Sequence, residues 1–300
     1  MDKVTLETFI KVAEESSFSR TAEQLHITQP AISKRIANLE EELDTTLFER
    51  IGKTARLTSG GEILLPKARK IIEAMRDCKT EIQNLNQRVE GPLKIGVSHH
   101  IGLHRFPPYL KEYSQLYPNV QLNIAFIDSE KAYPMILKGE LEIALITLGH
   151  QPNEDIHQTT IWKDALTFVA SDNHELAKLN ESRPLTIEDL SQYPAILPGR
   201  NTHTGQLIQS AFNNYHQPVD YYIETNYLET IKMMVSIGLG WGVLPRTMLN
   251  KEMRGLQMNI KNLSRSLGYI THKKATQSNT VKALINTLST LDNHDFMSSD

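Results

Sequence analysis

Apolar residues recur along this chain with different periods, and each period predicts a different kind of element. Leu6, Phe9, Val12 and Ala13 fall at helical spacing near the N-terminus. Ser19 suits the N-cap of a short second helix carrying Ala22 and Leu25, and His26-Ile27 interrupts the pattern before Thr28 can cap a third. In that third helix Ile32, Ile36, Leu39 and Leu43 recur at intervals of four, three and four, a single stripe that the first helix can cover. Leu47-Phe48 then anchors a β-hairpin with Gly52-Lys53-Thr54 at its tip. Ser59-Gly60-Gly61-Glu62 has capping-box spacing, so a new helix is expected there despite the glycines. Along it Leu64, Ala68, Ile71, Met75, Cys78, Ile82 and Leu85 alternate steps of four and three. Residues 59–88 as one helix would extend about 44 Å, too long for a small domain to cover. The stripe therefore predicts a dimerisation helix, the alternative being burial against its own chain. Pro66 removes the bond to Glu62 and can kink the first turns.

Val89-Glu90-Gly91-Pro92 ends that helix and marks a hinge. Beyond it short apolar strands alternate with amphipathic helices: LKIGVS, a helix around Phe106 to Leu116, VQLNIAFI, a helix around Tyr133 to Leu137, then EIALIT. A second group runs from LTFVAS through YPAILPG, YYIET, a helix over Leu228 to Ile237, and WGVLP. LGYITHK and a closing helix from Thr280 to Leu291 return to the first group. Such alternation implies a parallel sheet with helices on its faces, here as two lobes joined by two crossing strands.

The stripe of the third helix leaves Gln29, Ser33, Lys34 and Arg35 on the other side, near the helix N-terminus. Gln can pair with an adenine edge, Ser reaches several bases, and Lys or Arg reaches guanine or phosphate. The alternative is a surface helix with an ordinary polar face. The order FSRTAEQLHITQPAISKRIANLEEELDTTLFER followed by RLTSGG resembles the N-terminal signature of LysR-type transcriptional regulators over roughly the first ninety residues. The resemblance implies a winged helix-turn-helix over residues 1–58, a linker helix over 59–90 and an effector-binding domain over 91–300. That domain would have the two-lobed architecture of type 2 periplasmic-binding proteins, lobe I about 91–164 and 269–300, lobe II about 165–268. Gln29, Pro30, Ser33 and Lys34 sit where the family places its groove-entering residues, and Arg50, Lys53 and Arg56 fall on its wing. Ser19, Arg20 and Arg35 complete the candidate DNA contacts. Lys34 stands where the family frequently has Arg, and an ammonium lacks the fork of a bidentate guanine contact.

Composition narrows the choice. The chain has 300 residues, 40% of them hydrophobic, enough for two or three cored domains. Its net charge is −3, and residues 1–60 hold eight Lys/Arg against ten Asp/Glu, which disfavours an indiscriminate DNA coater. Segregation matters more than the sum: from Arg50 to Thr58 three residues are basic and none acidic, while Glu40, Glu41, Glu42 and Asp44 gather at the far end of the third helix. DNA binding is thus expected to be local and salt-dependent. Met1 to Phe9 lacks the basic start and apolar run of a signal peptide and no stretch has the length of a membrane span, so a cytoplasmic location is expected. Cys78, the single cysteine, excludes an intrachain disulfide or a multi-thiolate metal site.

In open α/β sheets ligands bind at the carboxyl ends of strands, near helix N-termini. Ser98, His99, His100 and Ile101 follow the first strand of the second half, Thr147 ends EIALIT, Thr202, His203 and Thr204 follow YPAILPG, and Asn226 follows YYIET. Hydroxyls, an amide and free N–H groups with few carboxylates favour a small anion, although any one Ser or Thr could be an ordinary cap. A protonated His99 or His100 contacting the effector would make affinity fall above about pH 6.5. Adjacent histidines point opposite ways in extended chain, so no joint metal site and no cofactor is expected. Nor does a nucleophile elbow or phosphate-binding glycine loop appear; Gly238-Leu239-Gly240-Trp241-Gly242 follows a helix and precedes a strand, the reverse of a dinucleotide fingerprint. The resemblance further implies a homodimer or homotetramer on an interrupted palindrome, with an effect on RNA polymerase. A solute-binding protein or an enzyme on the two-lobed domain remains the alternative.

Overall fold

A computed structural model describes residues 1–52, 54–150, 153–215, 219–261 and 263–295, so Lys53 lies outside the described residues, as does the Arg50 side chain. The chain divides into two compact units, 1–87 and 88–300.

The first unit packs α1 (Lys3–Glu15), α2 (Phe18–Gln24) and α3 (Gln29–Glu42) around Leu6, Phe9, Val12, Ala22, Ile32, Ile36 and Leu39. Truncating one of these, Ile36 for example, would cost about 2–5 kcal/mol. Leu43 departs from the expected stripe: it is the C-cap of α3 and 38% exposed. The cap of α2 is Ser17, not Ser19; Ser17 is extended at φ −157° and its hydroxyl accepts from Arg20 N at 3.3 Å, while Ser19 already lies inside the helix. Thr28 does precede α3, but its side chain makes no capping bond, and Pro30 removes one N–H that would otherwise be unsatisfied there. Glu40 turns back from the end of α3, its Oε1 accepting from Leu47 N at 2.6 Å and Phe48 N at 3.1 Å, and so fixes the entry to the wing. The wing pairs β1 (Phe48–Ile51) with β2 (Thr54–Leu57) antiparallel, Glu49 opposite Arg56.

The following helix, α4 (Ser59–Asn84), starts from Thr58, whose hydroxyl accepts from Gly61 N at 3.2 Å; the expected Ser59–Glu62 box is displaced by one residue. Thr58 wins because its backbone is already held by Leu47 O at 3.0 Å as the wing closes. Gly61 is required by this approach: a Cβ there would lie 2.3 Å from the Leu47 carbonyl oxygen. Ala68 and Ile72 pack into the unit's core, whereas Ile71, Met75, Cys78, Ile82 and Leu85 are exposed.

Among the described residues, the second unit is organised on one mixed sheet of nine strands in the order β4-β3-β5-β11-β6-β9-β7-β8, with β10 paired to β6. Lobe I holds β3 (Gly91–Val97), β4 (Val120–Phe126) and β5 (Ile143–Thr147), covered by α5 (His99–His104), α6 (Pro107–Leu116), α7 (Ser129–Leu137) and α12 (Asn279–Asp295). Lobe II holds β7 (Ala195–Leu197), β8 (Tyr221–Glu224), β9 (Trp241–Pro245) and β10 (Met253–Leu256), with α8 (Glu175–Asn180), α9 (Ile187–Ser191), α10 (His203–Asn213) and α11 (Leu228–Ser236). Each lobe has its own core: Tyr113 and Leu284 lie in the first, while in the second the Trp241 indole donates to Leu190 O at 2.9 Å and stacks on Phe212. Two long strands belong to both lobes. β6 (Ile156–Ser171) and β11 (Leu263–His272) run antiparallel along one another, with a register shift between Leu267 and Gly268. The lobe boundary anticipated at 164/165 thus falls inside a continuous strand.

Candidate functional site

In the first unit, burial of Ile32 at 0% and Ile36 at 2% fixes the rotation of α3 and turns its opposite side outward. Gln29 Nε2 donates to Ser33 Oγ at 2.8 Å, so these side chains form a pair on that side. Pro30 and Lys34 are exposed beside them, and Ser19 is exposed at the start of α2. Arg56 is exposed on β2. Two expected DNA contacts are engaged within the unit. Arg35 is half-buried and donates to the buried Thr8 hydroxyl of α1 at 3.3 Å, so it braces two helices instead of facing outward. Arg20 donates to Glu15 O at 2.5 Å, at the electronegative end of α1.

In the second unit a cavity of about 60 Å³ lies between the lobes where they meet the crossing strands. Of the expected effector residues, Ser98, His99, His100, Thr147, Thr202, Thr204 and Asn226 line it. Ile101 does not: the helical turn of α5 carries it into the lobe I core at 0% exposure. The His203 ring turns toward Tyr133, 5.8 Å between centroids, and does not line the cavity. Thr202 is a working helix cap, its hydroxyl accepting from Gly205 N at 2.9 Å and donating to Gly199 O at 2.7 Å. Ser98 also precedes a helix, but its hydroxyl makes no capping bond. Contrary to the expectation of few carboxylates, Asp128 and Glu130 line the cavity as well. Asp128 is held by Lys131 at 2.9 Å and receives the Asn226 amide at 3.4 Å, across the cleft. Glu130 accepts from His203 N at 2.7 Å, at the first turn of α10.

The floor carries a charge cluster that sequence reasoning missed. Asp164 on β6 faces Arg265 on β11 in direct register. Arg265 Nε donates to Asp164 Oδ2 at 2.9 Å and its Nη1 to Thr204 Oγ1 of lobe II at 2.9 Å. Arg105 of lobe I reaches Asp164 Oδ1 at 3.5 Å, and His100 Nε2 lies 3.6 Å from Oδ2, beyond hydrogen-bond length. Burial works against the Arg265 charge and Asp164 sustains it. Burial, assisted by Arg265, His104 and Arg105, pushes the His100 imidazole down to about 3. Burial thus favours the neutral His100 ring, which weighs against an anion contact through a protonated His100 and leaves the same expectation for His99 as it stood. A signal was present: in Leu263-Ser264-Arg265-Ser266-Leu267 the arginine shares a strand face with two leucines. Among the described residues no helix is long and apolar enough to cross a membrane, and no group of three His, Cys, Asp or Glu side chains is placed to hold a metal ion.

Residues 4–62 match the family model described as bacterial regulatory helix-turn-helix protein, lysR family, and residues 86–292 match the LysR substrate binding domain. The uncharacterized HTH-type transcriptional regulator YwqM of Bacillus subtilis is 31% identical over 293 residues, 95% of this chain and 97% of that protein. The HTH-type transcriptional regulator CysL of the same organism is 30% identical, covering 88% and 89%. Among solved structures, a point variant of full-length OxyR from Pseudomonas aeruginosa superposes with a TM-score of 0.67 at 23% identity, over 96% of this chain and 94% of that one. Full-length CbnR complexed with its target DNA gives 0.58 at 16% identity, over 97% and 99%.

Proposed function

Because this chain belongs to the LysR family of transcriptional regulators, a family of DNA-binding regulators and not of enzymes, we propose that it acts as a homodimer or homotetramer whose α3 helices enter successive major grooves of an interrupted palindrome. The observation carrying the DNA-reading face is the rotation of α3: Ile32, Ile36 and Leu39 are sealed inward at 0–2% exposure while Lys34 and Pro30 lie exposed. Two-fold symmetry places half-sites about one helical turn, roughly 10 bp, apart. The exposed stripe of α4 supplies the self-association surface. A small anion entering between the lobes shifts an equilibrium between assemblies, altering DNA bending and the recruitment of RNA polymerase. The regulator works in the cytoplasm and needs no cofactor.

Gel-shift titration of the full chain against its own upstream DNA and a scrambled duplex, with and without small anions, tests this reading. The upstream site is retained selectively and small anions change the mobility or stoichiometry of the complex. Equal retention of both duplexes would sink it, and so would a purely monomeric protein in native mass spectrometry. A solute carrier or an enzyme on the same two lobes would show no sequence-selective retention.

A further inference from the structure

The cavity gathers buried side-chain hydrogen-bonding groups that no protein atom satisfies, so water or a ligand must meet them. Ser98 Oγ, both ring nitrogens of His100 and Arg265 Nη2 are buried and have no hydrogen-bond partner, and all three residues line the space. Arg265 Nη2 is 2.8 Å from Asp164 Oδ2, an ion pair whose N–H groups nevertheless meet no oriented acceptor. These side chains are 8–9% exposed and rise from different elements, Ser98 and His100 from lobe I and Arg265 from the crossing strand.

Their chemistry is mixed. Arg265 offers only donors, and the Ser98 hydroxyl can donate or accept. The His100 ring, neutral because burial pushes it down to about 3, presents one N–H and one lone pair. A bare carboxylate or a fully ionised oxyanion answers the donors and leaves the imidazole lone pair facing an acceptor. The charges set a second limit. Arg265 and Arg105 face one carboxylate, Asp164, while Asp128 is matched by Lys131 and Glu130 by the first turn of α10. Three cations thus meet three carboxylates, leaving the partial positive charge of the α10 N-terminus, so a dianion would be opposed. Size is the third consideration, since about 60 Å³ suits a molecule of about two to four carbons.

We infer that the cleft takes a small 2-hydroxy monocarboxylate, its carboxylate on Arg265 and Ser98 and its hydroxyl donating to the His100 ring. The inference rests on the effector role of the cleft and narrows it to one ligand class. A site built to hydrogen-bond a hydroxyl discriminates against the analogue lacking it by a factor of at least about ten.

The test is isothermal titration of the full chain with glycolate, lactate, acetate, propionate and sulfate at one pH and ionic strength. Glycolate and lactate bind at least tenfold more tightly than acetate and propionate, and sulfate binds most weakly. In H100L the hydroxy and deoxy acids become equivalent; in R265Q both are lost, with circular dichroism checking that each variant is folded. If H100L does not fold, the ratio in the unaltered chain decides alone. Equal affinity for glycolate and acetate overturns the inference, as does a hydroxyl preference that survives in H100L or binding of no member of the panel. Tight sulfate binding, or a DNA complex that responds to some other anion, would overturn it and leave the anionic effector standing. A DNA complex moved only by uncharged compounds would remove both.

Discussion

Gln29 and Ser33 form a neutral, hydrogen-bonded pair, 2.8 Å apart, in which the Gln29 amide keeps a second N–H and its carbonyl for a base edge. This makes their contribution one of discrimination more than affinity, whereas a charge on the wing attracts any duplex. Replacing Gln29 and Ser33 by Ala is expected to narrow the gap between operator and random DNA, each lost base contact being worth about 1–3 kcal/mol. R56A should instead weaken all DNA alike and lower the log–log salt slope by about one. Fluorescence anisotropy at several salt concentrations separates the two, and identical behaviour would show the division to be mistaken. His100 governs a different property. Between about pH 6.5 and 3 the unfolded chain takes up a proton that the folded imidazole refuses, so the unfolded state binds more protons and stability falls as pH falls. His174 and His203, also pushed down by burial, add to the same slope. Urea midpoints of the second unit should drop from pH 7.5 to 5, and less steeply in H100L. Helical spacing placed Lys34 on the exposed side of α3, but it could not show that Arg35 would turn to Thr8 of α1. For Arg265 the strand face was legible, but not its pairing with Asp164 a hundred residues away in the chain.

At the scale of elements, α4 shows how much local pattern can specify. Its steps of four and three correctly announced a long helix with an apolar edge, but the edge is split: Ala68 is sealed in the first unit's core, while Met75 and Ile82 stand 48% and 62% exposed. The sequence could not locate that division, because it is set by where α1 happens to end beside α4. Nor could it choose Thr58 over Ser59 or Ser17 over Ser19 as caps; neighbouring hydroxyls are chemically equivalent, and the choice falls to the backbone that tertiary contacts hold extended. Burying each exposed apolar side chain of α4 in a partner is worth about 1.5–3 kcal/mol. M75E combined with I82E is therefore expected to shift the protein toward monomer in native mass spectrometry, with the melting of the first unit little changed. A dimer of unaltered strength would move the self-association surface elsewhere.

On the scale of the whole molecule, the two units divide the labour: one presents a polar helix face, the other encloses a charged cavity. Within the second unit, contacts cross the cleft at its rim and at its floor. Rim contacts include His104 with Glu229 at 2.6 Å and Asn226 with Asp128 at 3.4 Å, while Arg265 reaches Thr204 at the floor. A ligand competes with or reinforces these without touching the strand ladder. Hydrogen exchange should accordingly slow at the first turns of α10 and α11 when ligand binds, and leave the amides of β6 and β11 equally protected in both states. Loss of protection along those strands would mean that the lobes separate by breaking the sheet.

The continuity of that sheet restricts what the molecule can do in response to a signal. Lobes linked by loops would swing like doors, but β6 and β11 pass through both lobes hydrogen-bonded side by side, and a pair of bonded ribbons yields by torsion far more readily than by folding over. The weak point of the ladder is the slip beside Gly268, where a Cβ would sit 2.0 Å from the Thr159 carbonyl oxygen and where no other residue fits unless the backbone moves. A ligand that changes how the lobes meet would therefore have to act by twisting this strand pair, because folding one lobe over the other would break the ladder that both share.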